Sequence, residues 1–192
     1  MTSYILCTVV NKLWNLELKT VNRRIKEGEI MMNTTLKCLI IIHSYHHNNT
    51  AKVAEEISKV LNGDIVGTTE IIKESITAYD LIGFGAGIDS GKHYQPLLDF
   101  AEKLPMLSNQ KCFIFSTSGV QGVKKVKKDH DALRMKLLRK GLIVIDEFSC
   151  KGFNTNSFLK FFGGMNRGRP NENDLKHAKE FAFELLQKMD KF

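Results

Sequence analysis

Strand-like and helix-like signals alternate at short spacing through most of this 192-residue chain. Such alternation is met by a parallel sheet with helices on both faces. Residues 37–43 (KCLIIIH) form a continuous apolar run, as a strand buried on both sides requires. Residues 50–61 follow, with Val53, Ala54, Ile57 and Leu61 on one helical stripe. Residues 64–68 read as a short second strand and residues 79–85 (YDLIGFG) as a third, ending in glycines. Residues 94–104 read as a helix stopped by Pro105. Residues 111–116 (KCFIFS) give a fourth strand, residues 129–140 a basic helix ended by Gly141, and residues 142–148 a fifth strand. After an irregular stretch, Asn171 caps a last helix from Glu172 to about Lys188. Glu172 and Asp174 fall in its first turn, where the helix dipole favours negative charge.

Right-handed crossovers then predict a three-layer α/β fold with a five-stranded parallel sheet of order 2-1-3-4-5. A ligand crevice is expected where strands one and three diverge. Three loops meet at that edge: residues 44–50, 86–93 and 117–122.

The first thirty residues differ in character from the rest and carry the only tryptophan, Trp14. Met31 and Met32 stand immediately before the first strand signal. Codons for Glu27-Gly28-Glu29 can supply a sequence resembling a ribosome-binding site. Residues 1–32 are therefore expected to be an extension, not translated naturally, ahead of a domain over 33–192. The formal net charge is +7. The extension carries Lys12, Lys19, Arg23, Arg24 and Lys26 against Glu17, Glu27 and Glu29, so a start at Met31 would leave +5. No apolar run reaches the roughly 18 residues of a membrane span, and a cytoplasmic protein is expected. Cys7, Cys38, Cys112 and Cys150 are scattered without a C-x-x-C pair and read as reduced, mostly buried thiols. The basic run from Lys124 to Lys140 reads as the solvated face of one helix plus its leading loop. It is not interleaved with aromatics, so nucleic acid is not the expected partner.

The loop Ser44-Tyr45-His46-His47-Asn48-Asn49-Thr50 joins a buried strand to a helix start. There, unpaired amides and a partial positive charge suit a phosphate. Ser44 and Thr50 add hydroxyls, and Asn48 and Asn49 add amides. Gly-x-x-x-x-Gly-Lys and Gly-x-Gly-x-x-Gly are both missing, so one monophosphate fits better than a triphosphate or a dinucleotide. His46 or His47 can donate to such a phosphate, whereas a zinc site lacks a third ligand. The glycine-containing loops 85–93 and 117–122 permit a close approach of backbone to a flat ligand. Hydroxyls and amides there can bond the pyrimidine edge of an isoalloxazine.

The run SYHHNNTAKVAEEI resembles the flavin mononucleotide (FMN) phosphate loop of flavodoxins. DLIGFGAGIDSGKHYQPLLDFAEKLP is similar to their first flavin-ring loop, FIFSTSG to the second, and residues 147–182 to the carboxyl-terminal part of one branch of the family. The resemblance runs from about Leu36 to the end. It implies a flavodoxin-like fold, with Ser44, His46, Asn48, Asn49 and Thr50 holding the phosphate of FMN. It places Ala86, Gly87, Ile88 and Asp89 along one side of the ring and Thr117, Ser118 and Gly119 along the other. The flavin performs the redox chemistry in such proteins and the protein sets its potential.

Position 89 is aspartate where the family often has a stacking aromatic, and Tyr94, His93 or Phe153 are the candidate substitutes. Flavodoxins are commonly acidic, whereas this chain is basic, which is expected to raise the potential of a bound flavin. Phe153, Phe158, Phe161 and Phe162 in the irregular segment 152–169 are expected to pack on the core, the alternative being a partner-docking or substrate-covering lid. The expected function is electron transfer with one noncovalent FMN and a redox partner protein. Two alternatives are an FMN-dependent reductase of a quinone or similar acceptor and a flavin-free binding module.

Overall fold

In the computed structural model, which describes residues 36–45, 47–70, 73–155 and 163–191, the first strand is β1 (Cys38–His43). Its apolar run is buried from both sides, and Asn48 turns the chain into α1 (Asn49–Leu61). Asn62, in the left-handed conformation, ends that helix. Strand β2 (Asp64–Gly67) and a 3-10 turn (Lys73–Ala78) lead to β3 (Leu81–Asp89). A two-residue strand, β4 (Lys92–His93), folds back on β3 and precedes α2 (Gln95–Glu102). Then come β5 (Gln110–Ser118), α3 (Val123–Arg139), β6 (Leu142–Lys151) and α4 (Glu172–Met189). The expected extension over residues 1–32, with its start at Met31 or Met32, lies outside the described residues, as do Cys7, Phe158, Phe161 and Phe162.

The strand order is β2-β1-β3-β5-β6, parallel throughout, with β4 pairing antiparallel to the end of β3. Setting the short β4 aside, this is the expected 2-1-3-4-5. Side chains alternate between two cores, as strand geometry requires. On one face Leu39, Ile41, Ile82, Phe84 and Ile114 meet α2 and α3 through Leu97, Leu98, Leu133 and Leu137. On the other, Cys38, Ile40, Phe113 and Phe115 meet α1 and α4 through Val53, Ile57, Phe181 and Leu185. The result is three layers. Cys38, Cys112 and Cys150 are free and buried. Burial pushes the thiols of Cys38 and Cys150 up to about 12, so they stay protonated and inert.

Several elements run longer than their composition predicts, β5 and β6 by two or three residues at their carboxyl ends and β3 and α3 by more. Residues 86–89, expected in a loop, continue β3 and pair with β5 and β4. Lys124, Lys125, Lys127 and Lys128, expected in a leading loop, lie in the first turns of α3. The last helix is as expected, with a capping box in which Asn171 accepts from the Asp174 amide and Asp174 accepts from that of Asn171.

Candidate functional site

The carboxyl ends of β1, β3, β5 and β6 surround an open cleft with about 370 Å³ of empty space. Strand β1 delivers Ser44 to its floor, and the chain then reverses through His47 and Asn48, both left-handed (φ 54° and 52°). Asparagine and histidine adopt this conformation more readily than most non-glycine residues. The reversal aims the start of α1 at the cleft. The Ser44 hydroxyl accepts from the Ala51 amide at 3.2 Å, and the first intrahelical bond runs from Lys52 N to Asn48 O at 3.0 Å. The amides of Asn49 and Thr50 have no partner among the described residues, as a helix start leaves them.

Asn49 and Thr50 are buried, and both reach across the cleft. The Asn49 side-chain amide donates to Phe153 O at 2.8 Å. Its Oδ1 is buried with no partner among the described residues. Reversing the amide would set two acceptors against each other at Phe153, so the orphan is fixed as an acceptor. The Thr50 and Thr117 hydroxyls share a bond of 3.0 Å. One proton is spent between them and one is left to donate. Ser44, used as an acceptor, also retains its proton.

On the far side the Gly152 amide donates to Ser118 O at 3.0 Å, and the Asn166 side chain donates to Gly119 O at 2.7 Å. The segment after β6 is thus laced to the end of β5. Its Phe153 ring lies 4.4 Å from the His47 ring, and His47 Nε2 meets Thr155 Oγ1 at 2.8 Å. The glycines have a packing reason. A Cβ on Gly87 would stand 2.5 Å from the Tyr94 ring, and one on Gly119 would stand 2.4 Å from Met165 Cε. Gly87 therefore lets Tyr94 lie against β3 at the cleft wall.

Of the expected site residues, Ser44, Asn49, Thr50, Gly87, Ile88, Thr117, Ser118 and Gly119 line this cleft together. His46 lies outside the described residues. Asn48 is an exposed helix cap beside the cleft, Ala86 is buried in the core beneath it, and Asp89 sits exposed in the β3–β4 hairpin. Among the three candidate aromatics, Tyr94 and Phe153 line the cleft. His93 does not: it is fully buried, 4.8 Å from the His130 ring, with Nε2 at 3.4 Å from Phe115 O. Burial and the neighbouring His130 push its pKa down to about 3, so it is neutral. Tyr45 also lines the cleft, within the expected loop 44–50 though given no role there, and Gly152 and Asn154 line it without having been expected. The signal for the last two was positional, because they follow β6 at the edge where Gly119 follows β5.

Among the described residues none that lines the cleft carries a charge, so this wall is neutral and rich in donors. Among the described residues no group of three His, Cys, Asp or Glu could hold a metal ion. No helix among them is long and apolar enough to cross a membrane.

A doubly wound parallel sheet with its cleft at the β1/β3 switch point defines an α/β protein of the flavodoxin-like fold class. The chain belongs to the flavodoxin domain family, which matches residues 40–184, and this supports a flavodoxin-like redox protein. An uncharacterized protein of Methanocaldococcus jannaschii is 45% identical over 152 residues, covering 79% of this chain and 99% of that protein. Oxidised flavodoxin 2 from Bacillus cereus superposes with a TM-score of 0.60 at 17% identity, over 79% of this chain and 99% of that one. Rubredoxin oxygen oxidoreductase from Desulfovibrio gigas gives 0.56 at 15% identity, over 82% of this chain and 37% of that one. At such identities these structures speak for the fold alone.

Proposed function

We propose that the chain binds one FMN noncovalently in this cleft and serves as a cytoplasmic electron carrier. The observation that carries the reading is the corner at Asn49 and Thr50. Two helix-start amides with no partner among the described residues, a spare hydroxyl proton and a neutral wall suit a phosphate. The orphaned Asn49 Oδ1 needs a donor, which a phosphate lacks and a polyhydroxyl chain has. A phosphorylated sugar alcohol carries both, so the residues fit the ribityl phosphate of FMN. Ser44 and Thr50 would hold the phosphate and Asn49 the chain behind it. Gly87, Ile88, Ser118 and Gly119 would border the ring, with Tyr94 and Phe153 as its aromatic neighbours. When bound, the flavin supplies the electron chemistry.

The visible spectrum of purified protein, followed by FMN titration, tests this. Retained or restored flavin absorbance is expected. Thr50→Glu should abolish it while far-UV circular dichroism is unchanged, because a carboxylate would meet the phosphate. Asn49→Asp keeps the shape but places a charge at the orphan position, and should weaken FMN at least about tenfold. Colourless protein that takes up no FMN would defeat the proposal and favour a flavin-free module. Steady-state oxidation of a nicotinamide donor by a quinone would move the function to a reductase.

A further inference from the structure

Helix α3 starts against its own dipole. Gly122 precedes it, no side chain caps it, and its first turn contains no acid. Instead Lys124, Lys125, Lys127 and Lys128 fall within its first six residues. Lysines there oppose the positive end of the helix and one another. Among the described residues only Lys125 of the four has an acidic partner, Asp129. Helix α4 of the same chain carries Glu172, Asp174 and a capping box at its start. The departure at α3 is local, and such departures mark positions kept for something other than stability.

The same corner exposes apolar side chains. Val123 is 90% exposed and Val120 is 53% exposed. Beyond them a groove runs between α3 and β6, walled by Val126, Val144 and Ile145 and bordered by Lys127. Its two carboxylates are already paired, Asp146 with Lys188 and Glu147 with Arg134, so the field left over is positive. The groove and the cleft share one loop: Gly119 lines the cleft, and Gln121 and Gly122 line the groove. Gln121 pins that loop to β6 by donating to Ser149 Oγ at 3.1 Å and to Cys150 O at 2.7 Å. The corner is therefore a held, basic, partly apolar surface directly beside the cleft.

We propose that it is the docking surface for an acidic electron-carrier protein, with Val120 and Val123 as the apolar contact and Lys124, Lys127 and Lys128 as the steering rim. The inference rests on the FMN reading of the cleft for its redox sense. Charge complementarity selects the partner, because rim charges set encounter rate and orientation while exposed apolar groups supply the contact. Nucleic acid fits less well, since valines stand where single strands need aromatic platforms.

The flavin content of the full-length protein is first read from its visible spectrum. It is then titrated calorimetrically with a plant-type [2Fe–2S] ferredoxin as an acidic probe and with cytochrome c as a basic one. Binding to ferredoxin alone is expected, weakening as salt rises from about 0.02 M to about 0.2 M. Lys124→Glu/Lys127→Glu should weaken it about tenfold, and Val123→Asp should weaken it as well. Lys176→Glu/Lys191→Glu, the same charge change on α4 and just beyond its end, should leave it unchanged. Equal loss in both lysine pairs would reduce the effect to net charge and overturn the proposal. So would preference for cytochrome c, no ferredoxin binding, binding of a single-stranded oligonucleotide lost with Lys124 and Lys127, or a dimer lost with Val123→Asp. Ferredoxin binding is read without flavin absorbance, so a colourless protein that still binds ferredoxin would sink the FMN reading and leave the surface standing.

Discussion

His93 and Glu147 illustrate how single residues tie this fold to pH. His93 is sealed beneath the β3–β4 hairpin, and burial with the neighbouring His130 holds its pKa at about 3, against 6.5 when exposed. The unfolded chain therefore takes up a proton across that window which the folded chain refuses, and acidification below about pH 6.5 favours unfolding. Burial pulls the Glu147 carboxyl up, but hydrogen bonds from His130 and Arg134 outweigh it and hold the pKa at about 2. Its contribution is present above 4.5 and is lost as pH falls toward 2. Urea midpoints should thus decline in two stages, and His93→Phe should flatten the first while sparing the second. A midpoint unchanged between pH 7 and pH 5 would contradict the burial of His93. None of this was legible in the sequence. His93 read as a ring-side candidate because it follows a glycine loop, and only the hairpin turns it inward. Asn49 and Thr50, by contrast, were legible because a helix start after a buried strand exposes amides whatever the tertiary packing.

At the scale of elements, β3 and β5 are fitted by size. Gly83 and Gly85 pair across the sheet with Phe113 and Phe115, and the phenyl rings lie over the glycines. A Cβ on Gly85 would come within 2.1 Å of Phe115 Cζ. Gly85→Ala should therefore cost about 1–3 kcal/mol by overpacking, and Phe115→Leu in the same chain should recover part of it, read as a double-mutant cycle in urea. Additive losses would mean that the ring does not need the glycine. A glycine further along explains why β3 looked shorter in the sequence: Gly87 and the hairpin behind it read as loop, while pairing with Thr117 keeps Gly87 in the strand. Helix α3 was shortened for a related reason, since lysines at a helix start argue against a helix. Lys124→Glu should stabilise the protein by about 0.3–1 kcal/mol even as it weakens the proposed docking. If stability fell instead, the lysines would not be working against the dipole.

For the whole molecule, the net charge of +7 and the neutral cleft wall act together. Among the described residues no lining carboxylate would oppose the gain of negative charge by a bound flavin, and α3 begins beside the cleft with a surplus of lysines. Family membership and strand order were both readable from the chain, because alternation and loop chemistry are local. The direction of the surface field was readable only as a total, because ion pairs such as Lys188–Asp146 and Lys136–Glu102 silence part of it. What remains should favour the more negative, reduced form of FMN and lift its midpoint above that of an acidic flavodoxin. Salt separates this field from hydrogen bonds to the ring, because it screens exposed charges and leaves buried contacts intact. Between about 0.02 M and about 0.5 M NaCl the midpoint, followed by dithionite titration, should therefore move to more negative values. Lys124→Glu/Lys127→Glu should move it the same way at low salt and blunt its response to added salt. A midpoint indifferent to both would place control of the potential in the cleft wall, with Tyr94, Ser118 and Gly119, and not in the charge of the molecule.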